Sequence, residues 1–209
     1  WYGQGRLDEN NSWHLEAKVG QYAGPIQHGQ YSATGYWSKK LVNPDNVYSS
    51  TTRYAITPYP QPEVRLADLY LLYAEALNEY SGPSSEVYEF INLIRERVGL
   101  ESVEYSWETY SNNKSKYTTK EGLREIIHQE RNIELVFEGQ RYWDLMRWKK
   151  GFSELNYPIQ GWNIREMDAN SYYIVNTILV RKFRLRDYLW PIRELDLIVN
   201  KKLIQNPGW

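Results

Sequence analysis

No cysteine occurs anywhere in the 209 residues. Disulfides, thiolate nucleophiles and cysteine-ligated zinc are therefore excluded. The compartment stays open, because a disulfide-free protein can sit on either side of a membrane. Histidine is scarce: His14, His28 and His128 are scattered, and no His-Glu-x-x-His zinc motif is formed. No apolar run approaches the roughly 18 residues of a membrane-spanning helix. An excess of one charge is missing too. The formal net charge is −1 and the pI about 6.4, which gives no basic field for nucleic acid or an anionic membrane. There is no Gly-x-Ser-x-Gly elbow, Walker loop or dinucleotide fingerprint. Phenylalanine is rare at 4, against 19 Tyr and 9 Trp. Tyr and Trp join a flat apolar face to a polar edge, which suits interfaces and sugar stacking. That composition favours recognition of a ligand or partner over a core that merely prefers tyrosine.

The chain opens on Trp1 and shows no signal segment, so it is read as a fragment or a processed product. Residues 1–61 look irregular or β, punctuated by glycines from Gly3 to Gly35 and by Pro25, Pro44, Pro58 and Pro60. Aromatic residues on loops are better placed for surface contacts than those on a helix stripe, although single loop tryptophans often pack inward. Trp1, Tyr2, Trp13, Tyr36 and Trp37 are the resulting candidates for a ligand platform. Residues 101–118 (ESVEYSWETYSNNKSKYT) read as an exposed loop and add Trp107.

Helical pattern begins after Pro62. Residues 63–80 predict a helix with a stripe of Leu66, Tyr70, Tyr73 and Leu77, flanked by Ala67, Leu71 and Ala74. Arg65, Asp68, Glu75 and Glu79 fall on its remaining, polar stripe. Ser81-Gly82-Pro83 breaks it, and a second helix follows over about 84–98, stopped by Gly99. The pair spans roughly 35 residues, the size of a tetratricopeptide hairpin. Thr118 to Glu121 predicts a capping box for a third helix reaching about Glu138. Gly139 permits a bend, and a fourth helix runs over about 140–150. Residues 174–182 are the best strand candidate in the region 152–190, and 194–199 predict a short helical turn.

The stretch 121–148 carries the densest charge. Glu130, Arg131, Glu134, Glu138, Arg141, Asp144 and Arg147 are threaded through large apolar groups. Three glutamates four apart share one helix face and would suit acid/base chemistry or a metal. A nearly matching set of arginines favours a structural ion-pair latch instead, since buried charges must be paired. Within the latch, loss of Glu134 or Arg141 is expected to destabilise the protein. A glycosidase needs two carboxylates across a cleft, and 26 acidic residues make that signal non-specific.

Several segments together resemble one family. They are RLADLYLLYAEA from Arg65, INLIRERVGL from Ile91, and Glu130-Arg131 through Glu134-Leu135. The series continues with FEGQRYWDL from Phe137, Arg147-Trp148, YLWPI from Tyr188 and QNPGW from Gln205. They are similar to the SusD/RagB family of nutrient-binding outer-membrane lipoproteins of Bacteroidota. The match covers about 60–209 and is looser before that, mainly Thr34-Gly35-Tyr36 followed by Lys39-Lys40. Arg193 and Lys201 depart from the family pattern.

The resemblance implies a mainly α fold of tetratricopeptide-like helical hairpins, with an irregular loop-rich region and minor β (a SusD-like α/α fold). Residues 1–61 would form a loop-rich part of the ligand region, and 62–209 the helical C-terminal region of one larger domain. The implied role is non-catalytic capture of a glycan or other nutrient at the cell surface, with no cofactor or metal. The implied partner is a SusC-type TonB-dependent transporter, and the implied membrane link is a lipid anchor outside this sequence. A glycoside hydrolase on a helical scaffold and a helical-repeat scaffold that binds only protein are the alternatives.

Overall fold

A computed structural model describes residues 17–21, 23–25, 31–38, 40, 43, 57, 58, 60 and 62–209, and the backbone of four short strands before them. Those strands are β1 (Arg6–Leu7), β2 (Trp13–His14), β3 (Val47–Ser50) and β4 (Arg53–Ala55), paired antiparallel as β1-β2 and β3-β4. The rest of the described chain is mainly helical, as the sequence and its resemblance imply. It divides into two compact units, residues 60–141 and residues 1–59 with 142–209.

The first unit is built on a helical hairpin of α1 (Leu66–Ser81) and α2 (Ser85–Arg97). Gly82 ends α1 at φ 80°, and Ser84 caps α2 by accepting the Val87 amide. The side of α1 that is buried differs from expectation. Ala67, Leu71, Ala74 and Asn78 are buried, whereas Leu66 and Tyr73 are 60% and 45% exposed. The small side chains let neighbouring helices approach closely, and the larger stripe is left at the rim. Ala74 joins Val87, Ile91, Leu123, Ile126 and Ile127 in one core cluster, edged by Phe90 and Tyr88.

Residues 101–118 are not an exposed loop. Ser102 accepts the Tyr105 amide and starts α3 (Val103–Tyr110), and a short 3-10 turn covers Lys116–Thr118. Val103 is fully buried in the main cluster, with Trp107 and Tyr117 packed against it. Apolar residues four apart bury one face of this two-turn helix although its composition is polar.

Next comes α4 (Lys120–Glu134). Its cap is Thr119, whose Oγ1 accepts the Gly122 amide at 3.1 Å. The capping box expected from Thr118 and Glu121 is therefore not the device used. The cap lies one residue later, where Gly122 cannot supply a reciprocal side chain. α4 also ends earlier than expected, so Glu138 lies in the turn beyond the helix. Phe137 there has φ 64° and Gly139 φ 81°. A left-handed non-glycine residue costs about 1–2 kcal/mol, and firm anchoring of the neighbouring Glu138 holds the turn.

The anchors are ion pairs, and their partners come from the first hairpin. Arg65 donates Nε and Nη2 to the two Glu138 oxygens at 2.8 and 2.6 Å. Its Nη1 lies 2.8 Å from Glu134 Oε1, and Arg97 Nη2 lies 2.7 Å from Glu134 Oε2. Glu130 is paired with Arg95, which also donates to the Glu101 carbonyl and to Ser106 Oγ. Arg131 is 2% exposed; its Nη1 reaches Asp68 Oδ1 at 2.8 Å and its Nε lies 3.9 Å from Glu75. The supposed polar stripe of α1 is thus the face that meets α4. Asp68, Glu75 and Glu79 oppose Arg131, His128 and Arg124 in turn. Glu130, Arg131, Glu134 and Glu138 each stand in an ion pair, with partners drawn from residues 65–97.

α5 (Gln140–Arg147) carries the last members of the stretch, and in the second unit Asp144 Oδ1 accepts Arg147 Nε at 2.8 Å. Then come α6 (Gly151–Glu154), β5 (Ile159–Trp162), α7 (Ala169–Tyr172), β6 (Val175–Leu179) and α8 (Glu194–Val199). β6 falls inside the expected strand and pairs antiparallel with β5. The chain end is knitted in by its side chains. Gln205 both accepts from the Ile192 amide and donates to the Ile192 carbonyl, each at 2.9 Å. Asn206 donates to the Trp190 carbonyl, and the Trp209 indole donates to the Leu189 carbonyl while lying under Arg186 at 4.3 Å.

Replacing Arg131 by Met strands Asp68 and Glu75 in the α1–α4 contact and should destabilise the fold by about 3 kcal/mol, read from the urea midpoint. Glu134→Ala, which frees Arg65 and Arg97 from one carboxylate, should destabilise by less. The pH dependence follows from Glu79. A hydrogen bond from Arg124 lowers its carboxyl below the ordinary 4.5, against the opposing push of burial. A depressed carboxyl stabilises the fold above its unfolded value and loses that contribution as pH falls through the folded value. The difference in Tm between the wild type and Arg124→Gln should therefore be largest near neutrality and shrink as the pH is taken below 4.5.

Candidate functional site

Within the second unit, β5 and β6 form a hairpin in which Trp162 pairs with Val175 and Gly161 with Asn176. The segment 32–36 lies across β5. The Trp162 amide donates to the Thr34 carbonyl at 3.0 Å, and Ser32 Oγ and Thr34 Oγ1 share a hydrogen bond of 3.1 Å. Two glycines permit the approach. A Cβ on Gly161 would stand 2.6 Å from Thr34 Cα. Gly35 has φ 76°, and a Cβ there would stand 3.0 Å from the Tyr172 hydroxyl and 3.1 Å from the Trp162 ring.

This crossing gathers four rings. Tyr36 and Trp162 are 5.6 Å apart and tilted by 37°. Trp162 meets Tyr173 edge-on at 5.4 Å, and Tyr173 meets Tyr172 edge-on at 5.0 Å. Lys18 Nζ lies over Tyr172 and Tyr173, at 5.4 and 5.9 Å from their centres. Tyr172 is the buried base of the set. Burial, then its neighbours Tyr173 and Tyr36, push its phenol above the ordinary 10.0, so it stays a neutral hydrogen-bonding group. Tyr36 and Tyr173 are 59% exposed each.

Beside these rings opens a groove of about 820 Å³. Its walls are formed by residues that include Tyr31, Trp162, Asn163, Arg165, Asn176 and Thr177. Val19, Pro25, Ala33, Ile164 and Ile178 complete it. A concave surface with flat aromatic faces and a few polar groups can hold a ligand by stacking and hydrogen bonding.

Of the expected platform residues whose side chains are described, Tyr36 joins this ring set. Trp37 is half-buried next to it and does not line the groove. Trp107 stands on α3 in the other unit, packed on the core and covered by Lys116 Nζ at 5.1 Å, so the loop placement that recommended it is corrected. Trp1 and Tyr2 lie outside the described residues. Trp13 is described only as part of the β2 backbone. Trp162, Tyr172, Tyr173, Tyr31, Lys18 and Arg165 were not singled out from sequence. The available signal was a glycine beside an aromatic in both Gly35-Tyr36 and Gly161-Trp162, the mark of close backbone approach.

Glu125 and His128 have the Glu-x-x-His spacing of di-iron bundles. Glu125 faces Lys116 at 2.7 Å, however, while His128 lies 3.8 Å from Glu75. Among the described residues no group of histidines and carboxylates could hold a metal ion. Among them, too, no helix is long and apolar enough to cross a membrane.

The fold and the motifs that build it have relatives. The family model described as the SusD family matches residues 3–209. The chain belongs to the SusD family. A SusD-like protein of Formosa agariphila is 36% identical over 147 residues, which is 70% of this chain and 25% of that protein. A second from the same organism is 42% identical over 84 residues, 40% of this chain and 14% of the relative. The crystal structure of a SusD-like protein from Bacteroides fragilis superposes with a TM-score of 0.71 at 28% identity. It covers 97% of this chain and 36% of that structure. The chain thus spans about a quarter of the length of the first curated relative. The SusD-like motifs at Tyr188–Ile192 and Gln205–Trp209 pair with each other through the hydrogen bonds described above, which makes them scaffold. Thr34-Gly35-Tyr36 is the segment that crosses β5.

Gly161→Ala should force β5 and the 32–36 segment apart, because the added carbon meets backbone atoms. We expect a loss of about 1–3 kcal/mol, and near-ultraviolet circular dichroism should show weakened Tyr36–Trp162 coupling.

Proposed function

We propose that this SusD-family chain contributes to non-catalytic capture of a saccharide nutrient, and that the groove beside Trp162 is where the sugar is held. The observation that carries this reading is the groove itself. The exposed rings of Tyr31 and Tyr36 and the half-buried ring of Trp162 suit stacking of pyranose rings, and Asn163, Asn176 and Thr177 suit hydrogen bonding to their hydroxyls. Family membership supports the same role. The whole protein acts as a lipid-anchored receptor on the outer membrane surface and passes its ligand to a SusC-type TonB-dependent transporter.

Hydrolysis is the second reading from sequence, and it needs two carboxylates flanking the scissile bond. The described lining of the groove includes Asn163, Asn176, Thr177 and Arg165 and no acidic residue. The helical unit, which could serve as a scaffold for protein alone, has its cations and carboxylates facing one another.

Isothermal titration with a panel of oligosaccharides tests the proposal. A binding member should lose about tenfold in affinity on Trp162→Ala, the scale of one aromatic stacking contact, while Trp107→Ala leaves it unchanged. The pure protein should release no reducing sugar from the same panel. Equal affinity in wild type and Trp162→Ala would remove the groove as the site, and steady sugar release would favour the hydrolase.

A further inference from the structure

The charge around the groove is one-sided. Arg165 is the cation in its wall, and the described lining includes no carboxylate. Lys18 stands next to the lining residue Val19, over the rings of Tyr172 and Tyr173. Among the described residues neither Arg165 nor Lys18 takes part in an ion pair. The described acidic side chains nearest Arg165 in sequence lie elsewhere. Asp168 accepts the amides of Asn170 and Ser171 at 2.8 and 3.3 Å and so caps α7. Glu166 is exposed and outside the lining.

This contrasts with the helical unit, where Arg65, Arg95, Arg97 and Arg124 all face carboxylates. Among the described residues, Arg165 in the wall of this sugar-sized groove faces no carboxylate, and Lys18 beside it meets only aromatic rings. A guanidinium presents paired donors that match a carboxylate or a sulfate ester.

Resting on the saccharide reading above, we infer that the groove selects anionic saccharides, those bearing carboxylate or sulfate groups. Arg165 binds the anionic group while a ring of the same ligand stacks on Trp162. Lys18 adds a field of the same sign from the other side of the aromatic set.

The test is titration of the full chain with fragments of polygalacturonate and κ-carrageenan, and with neutral galactan and agarose fragments as uncharged counterparts. Wild type is compared with Arg165→Gln and Trp162→Ala, each first matched to it by thermal melt. The expected result is tighter binding of one or both acidic ligands than of the neutral ones, weakening as salt is raised. Arg165→Gln should cost about tenfold for the acidic ligand, the loss of one charge-assisted contact, and nothing for a neutral one. The two acidic arms separate carboxylate from sulfate recognition. Neutral fragments bound as tightly as acidic ones, with Trp162→Ala weakening them and Arg165→Gln changing nothing, would overturn this inference alone. Acidic binding indifferent to both substitutions, or no binding of any of the four, would overturn the groove as the saccharide site as well.

Discussion

Arg131 is the charge on which the helical unit depends. A guanidinium so nearly excluded from water is costly unless its donors are met. Here they are met by Asp68 and Glu75 from α1. That one requirement orients α1 against α4. With Asp68 opposite Arg131, Glu75 comes opposite His128 and Glu79 opposite Arg124, so the two helices run antiparallel in a single register. A slip of one turn, about 5.4 Å, would separate every pair in the series. The apolar cluster of Ala74, Ile91, Leu123 and Ile127 supplies burial, which is tolerant of small shifts. The charges are not tolerant, and they select one arrangement among those the apolar residues would accept.

The helices of this unit were legible where period and punctuation agreed. The hairpin of α1 and α2 follows from apolar spacing, the Ser81-Gly82-Pro83 break and Gly99. What the sequence left open was the partner of the charged stripe. On α1 the acidic stripe is an interface, and its burial depends on cations that lie far along the chain. The same limit applies to Glu130, Glu134 and Glu138. Their spacing implied pairing, and the arginines of the same stretch were the visible partners. Arg65, Arg95 and Arg97 take that place because the hairpin folds back over α4, which no local pattern encodes. Residues 101–118 failed for another reason. Val103 and Trp107 are the apolar signal of α3, and two positions among many polar ones are too few for periodicity to register.

The site was legible only in part. Thr34-Gly35-Tyr36 stood out, and Tyr36 does belong to the ring set, yet nothing near it in sequence announces Trp162 or Tyr172. Gly35 and Gly161 each give up a side chain so that another backbone or ring can come close. Glycine alone does not say what comes close. Loop aromatics were a sound general guide and a poor particular one. Trp107 proved to be core, whereas Trp162 reached the groove from the end of a strand.

The two units use charge in opposite ways, and this follows from what each must do. In residues 60–141 Arg65, Arg95, Arg97, Arg124 and Arg131 face carboxylates at close range, so these charges specify structure. Around Trp162 the structural work is done by backbone hydrogen bonds, two glycines and ring contacts, with Lys18 lying over Tyr172 and Tyr173. Arg165 stands in the groove wall and, among the described residues, takes part in no ion pair. A cation not needed for the fold keeps its attraction for something else, and beside flat rings and amide groups that attraction gives the groove a sign as well as a shape.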